Sequence, residues 1–160
     1  MSESRAFARH VIATIAYRGS KAVRGAPPEF ADFKAGPTTR TPVEILAHIG
    51  DLLEISAARL HGPARWHDAT ALPWEREIAR FHAMLAAVDA ALVDERPIVV
   101  KLEPWFQGPI ADALTHIGQL AMLRRLSGFP MKGEANLFAG IEPGRVGADQ
   151  TPPDPTKEFD

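Results

Sequence analysis

His48, Asp112 and His116 are the residues of this chain whose types and spacing could do chemistry together. Asp112 and His116 are four residues apart, so on a helix their side chains stack on one face. His48 belongs to a separate helical segment, beside its apolar face, with Ile45, Leu52 and Ile55 as same-side neighbours. Two imidazoles and a carboxylate from neighbouring helices form a ligand set for a divalent metal with coordination positions left open. Such a cation would offset the cost of burying the cluster and would lower the pKa of a bound water or polarise an oxygen or sulfur. The same residues have a plainer reading. His48 and His116 can be hydrogen-bonded core-edge histidines, and Asp112 a carboxylate favoured by the dipole at the start of its helix.

Other side chains could support that site. Asp51 lies one turn after His48 and Gln119 one turn after His116, where each could orient a ligand or simply be solvated. Arg18 falls in the apolar arc expected for the first helix, as a snorkelling stem or a buried cation paired with an acid; its functional role would be to hold an anionic substrate group at the pocket mouth. Tyr17 and Trp105 are amphipathic aromatics that could wall the pocket. The other histidines carry less. His10 lies off its helix's apolar face, His61 ends a helix, His67 is in a loop, and His82 borders a helical seam as a core-edge residue.

Four helical segments must position these groups. The first spans about Arg5 to Arg24, with Phe7, Val11, Thr14, Ile15, Arg18 and Ala22 on one face and Gly25 as its C-terminal stop. The second opens on Thr41-Pro42-Val43-Glu44, a capping box with proline at the first helical position, and ends at Gly62-Pro63. Its seam is Ile45, Ile49, Leu52, Ser56 and Leu60. The third starts near Leu72 to Trp74, and its seam of Ile78, Phe81, Leu85, Val88 and Leu92 suits a nearly antiparallel bundle. Ile98-Val99-Val100 after Pro97 should be extended. The fourth runs from Trp105 or Pro109 through Ser127. Leu120, Leu123 and Leu126 make its second half apolar nearly all round, which predicts the most buried helix. After Pro130 the pattern fades into an irregular tail, residues 131–160, in which Phe138 and Ile141 could pack on the bundle. The expected architecture is all-α: one domain over 1–160, with a four-helix core over about 5–130.

Composition bounds the function. The 160 residues suffice for one domain with a core; 46% are hydrophobic and 24% charged, as in soluble globules. A net charge of -2 offers no basic field for nucleic acid. Without cysteine, thiolate metal sites, disulfides and cysteine nucleophiles are excluded. No apolar run is long enough to span a bilayer, and the first residues lack a signal-peptide core, so the expectation is a cytoplasmic protein with no membrane partner. No Glu-x-x-His pair points to a di-iron carboxylate site, and neither a nucleophile elbow nor a phosphate-binding glycine loop occurs.

The segments Thr-Pro-Val-Glu-Ile-Leu-Ala-His48-Ile-Gly-Asp and Asp112-Ala-Leu-Thr-His116-Ile-Gly-Gln119-Leu resemble the DinB/YfiT-like superfamily of small metal-binding four-helix bundles. That family usually places one histidine on helix two and His-x-x-x-His on helix four. His48 and His116 match, while Asp112 stands where a histidine is common, which shifts preference toward harder metals. The resemblance covers about residues 5–130. It implies a divalent metal (Zn, Ni, Fe or Mn) and homodimers. It also implies transferase or isomerase activity with a low-molecular-weight thiol such as mycothiol or bacillithiol. Two readings follow. One is a metal-dependent enzyme acting on a small electrophile; the other is a non-catalytic ligand-binding or interaction bundle whose polar cluster is structural.

Overall fold

A computed structural model describes residues 1–160. Local capping chemistry starts the first two long helices. Helix α1, Glu3–Val23, is capped by Ser2, whose hydroxyl accepts from the Arg5 N–H at 3.4 Å, and the chain leaves it through Gly25 at φ 64°. Helix α2, Pro42–Arg59, has the full capping box. Glu44 N–H donates to Thr41 Oγ1 at 3.4 Å, and Thr41 N–H donates to Glu44 Oε2 at 2.7 Å. Helix α3, Trp74–Val93, follows Pro73. Helix α4, Leu102–Trp105, continues through a π-helical turn, Phe106–Ile110, into α5, Ala111–Leu126. Pro109 sits in that turn, where it lacks the N–H an α-helix would need and its ring would meet the preceding turn.

The fold is thus an all-α four-helix bundle, with one two-residue strand pair, Gly133–Glu134 against Glu158–Phe159, in the tail. Each helix has two neighbours: α2 packs on α3 and α5, and α1 packs on α3 and α5. Cross-helix bonds fix the directions. Arg5 donates to the carbonyls of Leu92 and Asp94 while Ser20 meets His82 at 2.9 Å, so α1 and α3 are antiparallel. His61 touches the Ala91 carbonyl at 2.8 Å while Arg80 reaches the Ala47 carbonyl, so α2 and α3 run parallel. The antiparallel seam expected for α3 is met by α1 alone. A parallel pair needs a long return, which residues 60–73 supply. Arg124 is 5% exposed, and burial lowers its pKa. It donates to the Ala22 and Arg24 carbonyls at 3.0 Å each, neutralising the C-terminal end of α1.

The core joins all four rods, with Ile12, Ile15, Ile49, Leu53, Phe81, Leu85, Ile110 and Leu120 fully enclosed. Gly19 lets α1 and α3 approach, since a Cβ there would run into the Phe81 ring. Two expectations fail. Phe7 and Arg18 are exposed, because α1 faces two neighbours and its buried arc centres on Ile12, Ala16 and Gly19. Helix α5 is not the most buried: five of its 16 residues are buried against 11 of 18 in α2, and Met122 and Leu126 stand exposed. The Ile98–Val100 run is neither helix nor paired strand, and Val99 N–H donates to the Leu60 carbonyl at 2.9 Å. In the tail, Val146 joins the core whereas Phe138 is exposed. No helix is long and apolar enough to cross a membrane.

The return from α2 to α3 is pinned by Asp51, which is 4% exposed. Its Oδ2 accepts from the Ala69 N–H at 3.0 Å and its Oδ1 pairs with Arg80, which also reaches Glu54 at 3.2 Å and Glu77 at 3.7 Å. Burial opposes the Arg80 charge, and these carboxylates outweigh it, raising its pKa. Asp51→Ala removes the closest partner of a half-buried cation and the acceptor for Ala69. The expected loss is about 3 kcal/mol in urea unfolding, and a loss under about 1 kcal/mol would show that Glu54 and Glu77 hold Arg80 by themselves.

Candidate metal centre

Helices α2 and α5 run antiparallel, which sets His48 opposite the first turns of α5 while Ser56 meets Trp105 at the other end. The π turn matters for this register. One extra residue per turn rotates everything after it by about 100°, and Asp112 and His116 lie directly beyond it.

The three sequence candidates converge. His48 Nε2 lies 3.5 Å from Asp112 Oδ2, and His116 Nε2 lies 3.5 Å from Asp112 Oδ1. The two imidazoles meet edge to face with centroids 4.8 Å apart. One ligand atom from each residue falls within 4.8 Å of the other two, a set that could hold a metal ion. The imidazole side chains are 19% and 13% exposed and the carboxylate 47%, so the set is reachable from solvent on the Asp112 side.

The donor chemistry fits a cation. His116 Nδ1 lies 2.9 Å from Gln119 Oε1, an oxygen that only accepts. When neutral, that ring carries its proton on Nδ1 and turns the Nε2 lone pair toward Asp112. At 3.5 Å the nitrogen–oxygen separations are long for hydrogen bonds. His48 is held neutral. Burial, then the positive charge of His116 and Arg40, lower its pKa, against the opposing pull of Asp112.

The supporting residues divide. Gln119 does orient His116. Asp51 has an oxygen within 4.8 Å of a His48 nitrogen, as has Asp68, but it is committed to Arg80 and the Ala69 N–H. Arg18, Tyr17 and Trp105 are elsewhere, which corrects their expected place at the pocket. Arg18 is exposed and lines a groove between α1, α5 and the tail. Tyr17 is buried, and its hydroxyl donates to Glu134 at 2.6 Å; burial and that bond raise its pKa. Trp105 is buried, and its indole donates to the Ser56 carbonyl at 3.1 Å.

Two residues not singled out by pattern border the cluster. Trp66, on the α2–α3 return, stands edge to face against His48 at 5.6 Å. Arg40, just before the Thr41 cap, lines the grooves on both sides of His48. Arg40 carried a signal: it lies eight residues before His48, immediately ahead of the cap of the same helix. The placement of Trp66 depends on a loop without periodicity.

Keeping His48 and His82 neutral links stability to pH. Burial lowers the pKa of His82 as well, against the hydrogen bond to the Ile78 carbonyl. The unfolded chain protonates both near about pH 6.5, so this contribution is fully present above that value and is lost as pH falls through the lower folded values. NMR titration of chelator-treated protein should give His48 and His82 midpoints below about 6.5. Asp112→Asn, which removes the one group raising His48, should move the His48 midpoint further down. An unmoved midpoint would mean that the carboxylate does not act on the ring.

No family model, curated protein or solved structure matches this chain, which leaves the site to be read from its own geometry.

Proposed function

We propose that this protein is a divalent-metal-dependent enzyme whose metal is held by His48, Asp112 and His116. We further propose that it is a thiol-dependent S-transferase or isomerase acting on a small electrophile, as its resemblance to DinB/YfiT-like bundles implies. The observation that carries the first part is the convergence of two imidazole nitrogens on the two oxygens of one carboxylate, at 3.5 Å each. The chemistry a cation supplies there is to lower the pKa of a thiol or water and to polarise an electrophile.

The chain's own residues do the rest. Gln119 fixes the His116 tautomer, so no rotation or proton shift is needed before the nitrogen acts as a ligand. Burial keeps His48 deprotonated, which lets it bind a cation without first losing a proton. An adjoining groove of about 670 Å³, bordered by His48, His116 and Gln119, is large enough for a small substrate. Its wall of Ile45, Met122, Leu123 and Leu126 excludes water from one side. Met122 and Leu126 are exposed apolar residues at its rim, and a homodimer would cover such a rim.

Protein purified without a nickel column should carry about one divalent ion per chain, and removing it with chelator should lower the melting temperature by about 5–10 °C. His116→Ala should abolish retention. Gln119→Ala should keep the ion but weaken its binding about tenfold. A chain without metal that melts identically with and without chelator would support the structural, non-catalytic reading.

A further inference from the structure

The groove beside His48 has an unusual charge distribution. Among its ten lining residues Arg40 is the one with a formal charge apart from any on the histidines, and none is acidic. Five are apolar, including Ile45, Leu123 and the exposed Met122 and Leu126. The opposite groove, which Arg40 and His48 also border, contains Glu44, Asp51 and Asp68. An anion is therefore repelled on one side of His48 and meets a lone guanidinium on the other.

That guanidinium has no partner within the chain. Arg40 is exposed and makes no ion pair or side-chain hydrogen bond. The nearest acid on its own element, Glu44, uses its carboxylate to accept from Thr41 N–H at 2.7 Å and Thr41 Oγ1 at 3.0 Å. The capping box thus directs the Glu44 carboxylate to Thr41 rather than into an ion pair with Arg40, although its negative charge still acts on that guanidinium. It also fixes the backbone next to Arg40, which sits one residue before the cap. A planar, five-donor cation left free at the rim of an apolar groove is suited to a carboxylate.

We infer that Arg40 is a specificity-determining residue, and that the groove takes a small amphiphilic anion with its carboxylate on Arg40 and its apolar body against Ile45, Met122, Leu123 and Leu126. The inference rests on the groove being the substrate site, but not on retention of the metal. His116→Ala, which removes a metal ligand, leaves Arg40 and the apolar wall in place.

The test is calorimetric titration of the full chain as purified, with octanoate and its uncharged counterpart octanamide. Octanoate should bind about tenfold more tightly, the scale of one charge-assisted pair. Arg40→Ala should bring the two ligands within about twofold of each other, and Arg40→Lys should restore a preference for the acid. Circular dichroism should be unchanged in both, because Arg40 is exposed and unbonded. The preference should survive in His116→Ala. Equal binding of acid and amide by the parent chain would overturn the inference. So would a preference that persists in Arg40→Ala and vanishes in His116→Ala, which would assign the carboxylate to the metal.

Discussion

Three basic groups facing one another across the α2–α5 seam constrain the site. The nitrogens of His48 and His116 lie 3.5 Å from the two oxygens of Asp112. Lone pairs and a negative charge at that range are costly unless positive charge is shared among them. A proton is one source, but burial and the neighbouring positive charges oppose protonating His48, and Gln119 already fixes the His116 proton on the far nitrogen. A cation that brings its own charge is another source, and the three residues form a set that could hold one.

Holding such a cluster requires a frame that does not relax away from it, and cations provide much of that frame. Arg5 closes the end of α3, Arg9 pairs with Asp89 at 2.8 Å, Arg80 ties α3 to α2, and Arg124 ties α5 to α1. Each joins two elements that the core also joins, so sliding one rod breaks ion pairs (Arg9, Arg80) or bonds to backbone carbonyls (Arg5, Arg124) as well as apolar packing. Breaking such a pair leaves an uncompensated charge, which costs more than the pair contributes when intact. Rods coupled in this way keep His48 and His116 in register over a distance set by side chains from two separate helices.

The sequence made the helices legible because their signals are local. Thr41–Glu44 forms the capping box it spells, and the seams of α2 and α3 are buried as their spacing implies, with Ile78 only partly covered. His48, Asp112 and His116 were legible for the same reason, since an i, i+4 pair shares a face whatever the tertiary structure. Arg18, Tyr17 and Trp105 were not, because their assignment needed the rotational phase of α1 and the entry into α5. Phase is a tertiary property: α1 turned to serve two neighbours, and a π turn at Pro109 reset the face of α5. Asp51 was read as a helper of His48, but its strongest partner, Arg80, comes from a parallel helix reached through an irregular return. No periodicity records such a long-range pairing.

The carboxylate at position 112 changes more than the choice of metal. Two neutral imidazoles and one carboxylate carry a formal charge of about −1, so a divalent cation leaves about +1 at the site, half of what an all-imidazole set would leave. A weaker residual field draws a distant anion less strongly, and its reach is cut further by salt over about 10 Å. Selectivity for a charged substrate must then come from a fixed group near the groove rather than from the centre. Arg40 is in that position. The same guanidinium helps keep His48 neutral, so one exposed side chain links the protonation state of the cluster to the charge of whatever enters beside it.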